Sequence, residues 1–293
     1  MLNADRFREL LAFTPRSAIL IDRVVEDRDG FVLETLRLDI AGTAVRGFLT
    51  RPKAVSGRLP AILFAHSHGD LYHLGAEELL LGRSYLLDPP GPALARAGYV
   101  TLAIDMPVFG ERATVSESFA AKALLWSGKS LIGEMVGDQQ AALGYLLSRD
   151  DVQADRVGAF GISMGCTLSY WLAAIDPRIA AVAHLCCFAD LRTMVALGAH
   201  DGHGIYLTVP GLLTAGDAGD IAALIAPRSQ LICIGEADSL TPPLAVDRAW
   251  QTVRAAYDQR GGRLDKLSEP GVGHRETARM RRAVLEFFDR ELG

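Results

Sequence analysis

The stretch Gly161-Ile162-Ser163-Met164-Gly165 constrains this chain more than any other part of its sequence. An apolar run leads into it and an apolar, helix-like segment follows it, which places Ser163 where a strand turns sharply into a helix. Only small residues fit beside the serine of such a turn, because a Cβ there would strike the adjoining strand or helix. The pattern predicts an exposed, nucleophilic hydroxyl; the alternative is that Ser163 is an ordinary helix N-cap.

Two more residues of catalytic type follow later in the chain, each after a strand-like apolar run. Asp238 follows the run 231–235, and His274 ends the segment 267–274. A serine, an aspartate and a histidine in this order are typical of an α/β-hydrolase, in which the imidazole activates the serine and the carboxylate orients the imidazole. We therefore expect Ser163 to be the nucleophile, His274 the general base and Asp238 the acid.

Three carboxylates compete for the role of the acid. Glu236 directly follows the same strand-like run as Asp238, and Asp190 is the third candidate, whereas Asp238 could instead cap a helix near Pro242. The intermediate of acyl transfer also needs two N–H donors for its oxyanion. The N–H of Met164, immediately after the nucleophile, is expected to be one of them.

Short apolar runs separated by helical patterns predict the architecture. Their length favours strands buried on both faces, and hence a mostly parallel sheet covered by helices on both sides; the runs are 61–65, 100–104, 156–160, 179–185 and 231–234. Residues 31–40 and 44–51 alternate well enough to form an antiparallel hairpin at the sheet edge. A chain of 293 residues that is 49% hydrophobic, with no low-complexity linker, is expected to form one domain over residues 1–293.

Two connections are longer than is usual between strands and helices. They span residues 71–92 and 188–220 and contain many Gly, His, Tyr and Leu residues. Long connections in such folds tend to be functional, so both are expected to lie over the carboxyl end of the sheet and to shape the substrate pocket.

Composition argues against several classes of partner. A formal net charge of −5 with no basic cluster gives no reason to expect nucleic acid or an anionic membrane. Residues 1–8 alternate charged and apolar types, unlike a signal peptide, and no run reaches transmembrane length without a charge or a histidine. The cysteines lie in apolar runs and lack the paired spacing of metal ligands, which predicts buried free thiols in a reducing cytoplasm: Cys166, Cys186, Cys187 and Cys233.

Further segments match a known family: 97–105, 109–112, 155–158, 176–179 and 220–228. With them, the chain resembles the dienelactone hydrolase-related branch of the α/β-hydrolases over about residues 40–290, a branch that is similar to acetyl xylan esterases and to the catalytic domain of prolyl oligopeptidases. The resemblance implies that Asp238, three residues after Gly235, stands at the position of the family's acid. It also implies that the backbone N–H of His68 is the second oxyanion donor. The chain departs from the family pattern at Ser67 and at Cys166, which replace glycines.

Together these features predict a serine hydrolase that cleaves a small carboxylic ester, lactone or thioester through an acyl-enzyme, without an organic cofactor, in a chain that could form a homo-oligomer. A peptidase or amidase with the same three residues is the first alternative. A catalytically silent binding protein is another. A metal-dependent hydrolase is a third, with ligands either from His66, His68 and His73 together with Asp70, or from His200 and His203.

Overall fold

A nine-stranded sheet organises the fold in the computed structural model, which describes residues 2–53 and 57–293. In chain order the strands are β1 (Ala18–Arg28), β2 (Phe31–Ile40), β3 (Thr43–Arg51), β4 (Leu59–Ala65), β5 (Val100–Ile104), β6 (Val152–Ile162), β7 (Ala181–Leu185), β8 (Ser229–Gly235) and β9 (Leu264–Glu269). Their spatial order is β1-β2-β3-β5-β4-β6-β7-β8-β9. In this spatial order the three neighbouring pairs β1–β2, β2–β3 and β3–β5 are antiparallel. The remaining five pairs, from β5–β4 to β8–β9, are parallel. The predicted α/β-hydrolase architecture is confirmed.

Helices cover both faces of the sheet. They are α1 (Ala4–Leu10), α2 (Glu78–Leu81), α3 (Pro90–Arg96), α4 (Glu117–Trp126), α5 (Leu131–Leu147), α6 (Met164–Ile175), α7 (Leu191–Leu197), α8 (Leu212–Ala215), α9 (Ala218–Ala223), α10 (Pro243–Arg260) and α11 (Ala278–Leu292). On one face α5, α6 and α10 pack into a core with α1, where Trp171 meets Phe7 edge-on with ring centroids 5.2 Å apart. On the other face α3 and α11 pack into a second core, in which Phe288 lies against Phe160 of β6.

The central strands are apolar because both of their faces are covered. Every residue of β5 and of β7 is buried, and so are the last five residues of β4. This double burial explains why the sequence shows continuous apolar runs there instead of alternation. The four cysteines are all buried free thiols, as predicted.

The antiparallel end of the sheet differs from the prediction in one respect. The expected hairpin is formed by β2 and β3 around Ala41 and Gly42, which both adopt the positive φ angles that tight two-residue hairpins require. Its predicted place at the sheet edge is wrong, because β1 pairs outside it, with Ala18 opposite Ile40. All of β1 after Ala18 is exposed, so its sequence carries neither a buried apolar run nor a clear alternation.

The two long connections contain short helices. Residues 71–92 include a 3-10 turn, α2 and the start of α3, and residues 188–220 include α7, two further 3-10 turns, α8 and the start of α9. Over the described residues, no helix is both long and apolar enough to cross a membrane. The extent of the domain, residues 1–293, stays a prediction.

Candidate active site

Ser163 lies on a sharp turn between β6 and α6. Its φ of 60° and ψ of −123° are unusual for a residue with a side chain. The turn is possible because of its flanking glycines: a Cβ on Gly165 would lie 2.0 Å from the carbonyl oxygen of Ala65, and one on Gly161 would lie 2.3 Å from the carbonyl oxygen of Gly165. The Ser163 side chain makes no capping bond to α6, unlike an ordinary N-cap.

His274 and Asp238 meet across the ends of β9 and β8. The Nδ1 atom of His274 lies 2.7 Å from Oδ2 of Asp238, and the other carboxylate oxygen accepts the N–H of Leu240 at 3.0 Å. Asp238 is buried. The two loops approach closely because Gly235 has no side chain: a Cβ there would lie 2.4 Å from the carbonyl oxygen of Gly273. The carboxylate is therefore placed to hold a proton on Nδ1, which leaves Nε2 as the basic nitrogen.

The two other candidate acids lie in different surroundings. The exposed Glu236 accepts a hydrogen bond from the Ser268 hydroxyl at 2.8 Å. Asp190 caps α7 and accepts the N–H of Thr193 at 2.8 Å. Across the described part of the chain, neither carboxylate is hydrogen-bonded to His274, so Asp238 is its carboxylate partner.

Ser163 and His274 line the same cavity of about 120 Å³. Both long connections contribute to its wall, the first through Tyr85 and the second through Gly204 and Tyr206. The cavity lies beyond the carboxyl ends of β4, β6, β8 and β9, where parallel α/β sheets present their functional loops.

The two expected oxyanion donors border this site. Met164 is the first residue of α6, so its N–H has no acceptor within the helix. His68 lines the cavity, and no protein acceptor for its N–H is found among residues 2–53 and 57–293. The roles of these two groups, and of the three side chains, stay predictions.

The histidines of the metal alternative make other contacts. His66 is fully buried, accepts the N–H of Met106 at Nε2 (3.2 Å) and donates from Nδ1 to the carbonyl of Ser67 (3.0 Å). Burial lowers the pKa of His66 to about 4, so its imidazole is neutral. His68 donates from Nε2 to Glu117 at 2.6 Å. In the described residues, no group of three or more His, Cys, Asp or Glu side chains is arranged to hold a metal ion.

Sequence reasoning missed the polar groups that surround His68. Glu78 and Arg83 lie behind its backbone, and Glu117 holds its side chain together with Tyr72, whose hydroxyl donates to the same carboxylate at 2.7 Å. Burial alone would raise the pKa of Glu117, but the hydrogen bonds from His68 and Tyr72 hold it below its ordinary value. Tyr72, Glu78 and Arg83 come from the connection 71–92 and Glu117 from α4, and together they form no recognised motif. The one local signal was Ser67, a polar residue where the family has glycine.

Comparison with known proteins places this site in a family. The chain is 37% identical over 290 residues to the Bacillus subtilis (strain 168) protein named "Putative hydrolase YtaP", an alignment that covers 98% of this chain and 97% of that protein. Residues 91–189 match the dienelactone hydrolase family. The chain belongs to the dienelactone hydrolase family. The predictions of this family and of a hydrolase acting on carboxylic esters are thus confirmed at the level of the family.

Solved structures share the fold at low sequence identity. Acetyl xylan esterase 1 from Thermoanaerobacterium sp. JW/SL YS485 superposes with a TM-score of 0.72 at 18% identity, covering 99% of this chain and 92% of that one. Acetyl xylan esterase from Paenibacillus sp. R4 gives a TM-score of 0.70 at 20% identity, covering 99% and 93%. At this identity, the comparison establishes a common fold for this dienelactone hydrolase family member.

Proposed function

We propose that this protein hydrolyses carboxylic esters, lactones or thioesters through an acyl-enzyme formed on Ser163, with His274 as general base and Asp238 as the orienting acid. The observation that carries the proposal is that Ser163, on its strained turn, and His274, hydrogen-bonded to Asp238, line one cavity. Family membership supports the ester class, because a lactone is a cyclic ester.

Each residue has a defined part in the reaction. The Ser163 oxygen attacks the carbonyl carbon while Nε2 of His274 takes its proton, and the resulting oxyanion accepts hydrogen bonds from the N–H groups of Met164 and His68. When the intermediate collapses, the bond to the leaving oxygen or sulfur breaks and His274 returns the proton to it. Water, deprotonated by His274, then attacks the acyl-enzyme and releases the acid and free Ser163. Asp238 stabilises the imidazolium formed in both steps.

The size of the cavity favours a short acyl group. Its volume of about 120 Å³ is well below the roughly 300 Å³ at which pockets for drug-sized ligands begin. Tyr85 and Tyr206 border this space. Acetyl or similarly short acyl groups therefore fit the proposal better than long chains do.

The test is loss of function at Ser163. Ser163→Ala is expected to lower turnover of p-nitrophenyl acetate by about a millionfold and to abolish labelling by a fluorophosphonate probe, with thermal unfolding close to wild type. A panel of p-nitrophenyl acyl esters, thioesters and lactones assayed with the wild-type protein would define the substrate. Retained turnover in folded Ser163→Ala, or labelling of a different residue, would overturn the proposal.

A further inference from the structure

Ser67, at the end of β4, is tied to a buried carboxylate. Its N–H lies 3.1 and 3.2 Å from the two oxygens of Glu78, and its hydroxyl donates to the same carboxylate. Neither residue has any exposed surface. The hydroxyl is also hydrogen-bonded to that of Tyr85, which lines the cavity containing Ser163. Ser67 thus connects the interior carboxylate with the wall of the candidate active site.

Arg83 joins the same carboxylate to the backbone on either side of His68. Its Nε donates to Glu78 at 2.7 Å, and its Nη2 donates to the carbonyl oxygens of Ser67 and His68, each at 3.2 Å. The arginine side chain is only 2% exposed. One buried ion pair therefore contacts three backbone groups on either side of the His68 N–H: the Ser67 N–H, the Ser67 carbonyl and the His68 carbonyl.

These contacts determine the direction of the His68 N–H. That N–H and the Ser67 carbonyl belong to one planar trans peptide unit, so they point in opposite directions. Arg83 (3.2 Å) and Nδ1 of the buried His66 (3.0 Å) both donate to that carbonyl, so the N–H faces away from both side chains. A hydrogen bond from a guanidinium also polarises the peptide unit and strengthens its N–H as a donor.

A buried ion pair usually adds little to the free energy of unfolding. Removing two charges from water offsets most of their attraction, and apolar side chains of similar volume often stabilise a core as well or better. Here both carboxylate oxygens of Glu78 accept hydrogen bonds from Ser67 or Arg83. Ser67 precedes His68 in the same loop, and Arg83 contacts that loop, so the ion pair is placed to hold the loop in one conformation.

We propose that Glu78 and Arg83 are positioning residues that aim the His68 N–H at the oxyanion of the reacting substrate. The inference rests on the oxyanion role of His68 in the proposed function. The pair contacts no substrate itself, so it acts through the backbone of residues 67 and 68. Its effect belongs to the transition state, and its loss is expected to lower kcat and leave KM nearly unchanged.

Arg83→Met tests the inference. We expect kcat for p-nitrophenyl acetate to fall by about a hundredfold, as when one oxyanion donor is lost, with KM within about threefold of wild type. Affinity for a trifluoromethyl ketone, whose adduct with Ser163 bears the oxyanion, should fall in parallel. Arg83→Lys, which retains the charge but donates from a single nitrogen, should recover part of kcat.

The matched control is another buried arginine that pairs with a glutamate far from the site. Arg149 is 8% exposed and donates to Glu34 at 2.9 and 3.0 Å, before the amino end of β6. Arg149→Met should lose stability while kcat per folded molecule stays within twofold of wild type. If Arg83→Met fails to fold, Ser67→Gly and Arg83→Lys are measured instead, and a drop in kcat without a change in KM in either supports the inference.

Two outcomes would overturn it. One is a folded Arg83→Met variant with wild-type kcat and wild-type affinity for the ketone; the other is a loss confined to KM. Turnover that persists in Ser163→Ala would refute the proposed function, whereas Ser163-dependent turnover that is unaffected by Arg83→Met would refute only this inference.

Discussion

Ser163 is held through its backbone, by close packing at its flanking glycines and by a hydrogen bond from its N–H to the carbonyl of Leu185 (2.9 Å), whereas His274 and His68 are held by side-chain hydrogen bonds to buried carboxylates. Around the serine, the neighbouring backbone leaves no room for a Cβ on Gly161 or Gly165. Around the histidines, Asp238 and Glu117 accept short hydrogen bonds from the imidazoles. The nucleophile and the groups that serve it are thus fixed by different forces.

The difference has consequences for mutation and for pH. Repulsion between backbone atoms rises steeply with added volume and does not depend on protonation. A hydrogen bond to a carboxylate depends on the negative charge of the acceptor. It is therefore weakened when the carboxylate is replaced by an amide, which changes one atom, and when acid protonates it. Substitutions that add a methyl group should disturb the serine side, and substitutions that remove a charge should disturb the histidine side.

Apart from removal of the nucleophile itself in Ser163→Ala, the largest effect is expected on the histidine side. Asp238→Asn retains the shape of the side chain but removes the charge that stabilises imidazolium, so turnover should fall by about ten thousandfold. Steady-state kinetics would measure this, with Glu236→Gln and Asp190→Asn as matched controls within a few-fold of wild type. Near-normal turnover in folded Asp238→Asn would show that Asp238 is not the orienting acid. The acid would then be the residue, Glu236 or Asp190, whose amide variant is inactive.

On the serine side, Gly165→Ala is the corresponding change. The new Cβ would meet only backbone, the carbonyl oxygens of Ala65 and His66, so the end of β4 must shift. We expect a loss of roughly 3 kcal/mol in unfolding free energy and about a hundredfold in kcat. Gly144→Ala in α5 is the control: nothing lies within 4 Å of its Cβ position, and the helix should gain about 0.5–1 kcal/mol. Equal urea midpoints for the two variants would contradict the steric account.

The smallest effect is expected at Glu117, which holds the His68 side chain. Glu117→Gln should lower kcat by about tenfold through misplacement of the loop that contains His68.

Glu117 should also make stability depend on pH. The pKa of Glu117 is depressed in the folded state, so its stabilising contribution is complete above its ordinary pKa of 4.5 and is lost as pH falls through the lower folded value. Urea unfolding of wild type and variant from pH 7 to pH 3 should show a constant difference that shrinks only below about pH 4.5. If the difference in unfolding free energy between wild type and variant instead grew as the pH fell, the pKa of Glu117 would be raised by folding and not lowered.

The parts of the molecule that could be predicted are those that require a recognisable pattern within a short stretch of sequence. Strands buried on both faces require consecutive apolar residues, so β4 to β8 were visible in the sequence. The turn at Ser163 requires its two glycines, and His274 and Asp238 follow strands in the expected order. The edge strand β1 left no such trace, because it is exposed and carries charged and apolar residues without a period.

The fold class, the family and the candidate nucleophile could be predicted from the sequence, because each depends on patterns within short segments. The contact of His274 with Asp238, and with neither Glu236 nor Asp190, became visible in the tertiary structure, since all three are carboxylates near strand or helix ends. Only the tertiary structure brought Glu78 and Arg83 behind the backbone of His68. Such contacts depend on how the loops pack, and a hydrogen bond between residues with no regular helix or strand spacing imposes no pattern on the sequence around either one.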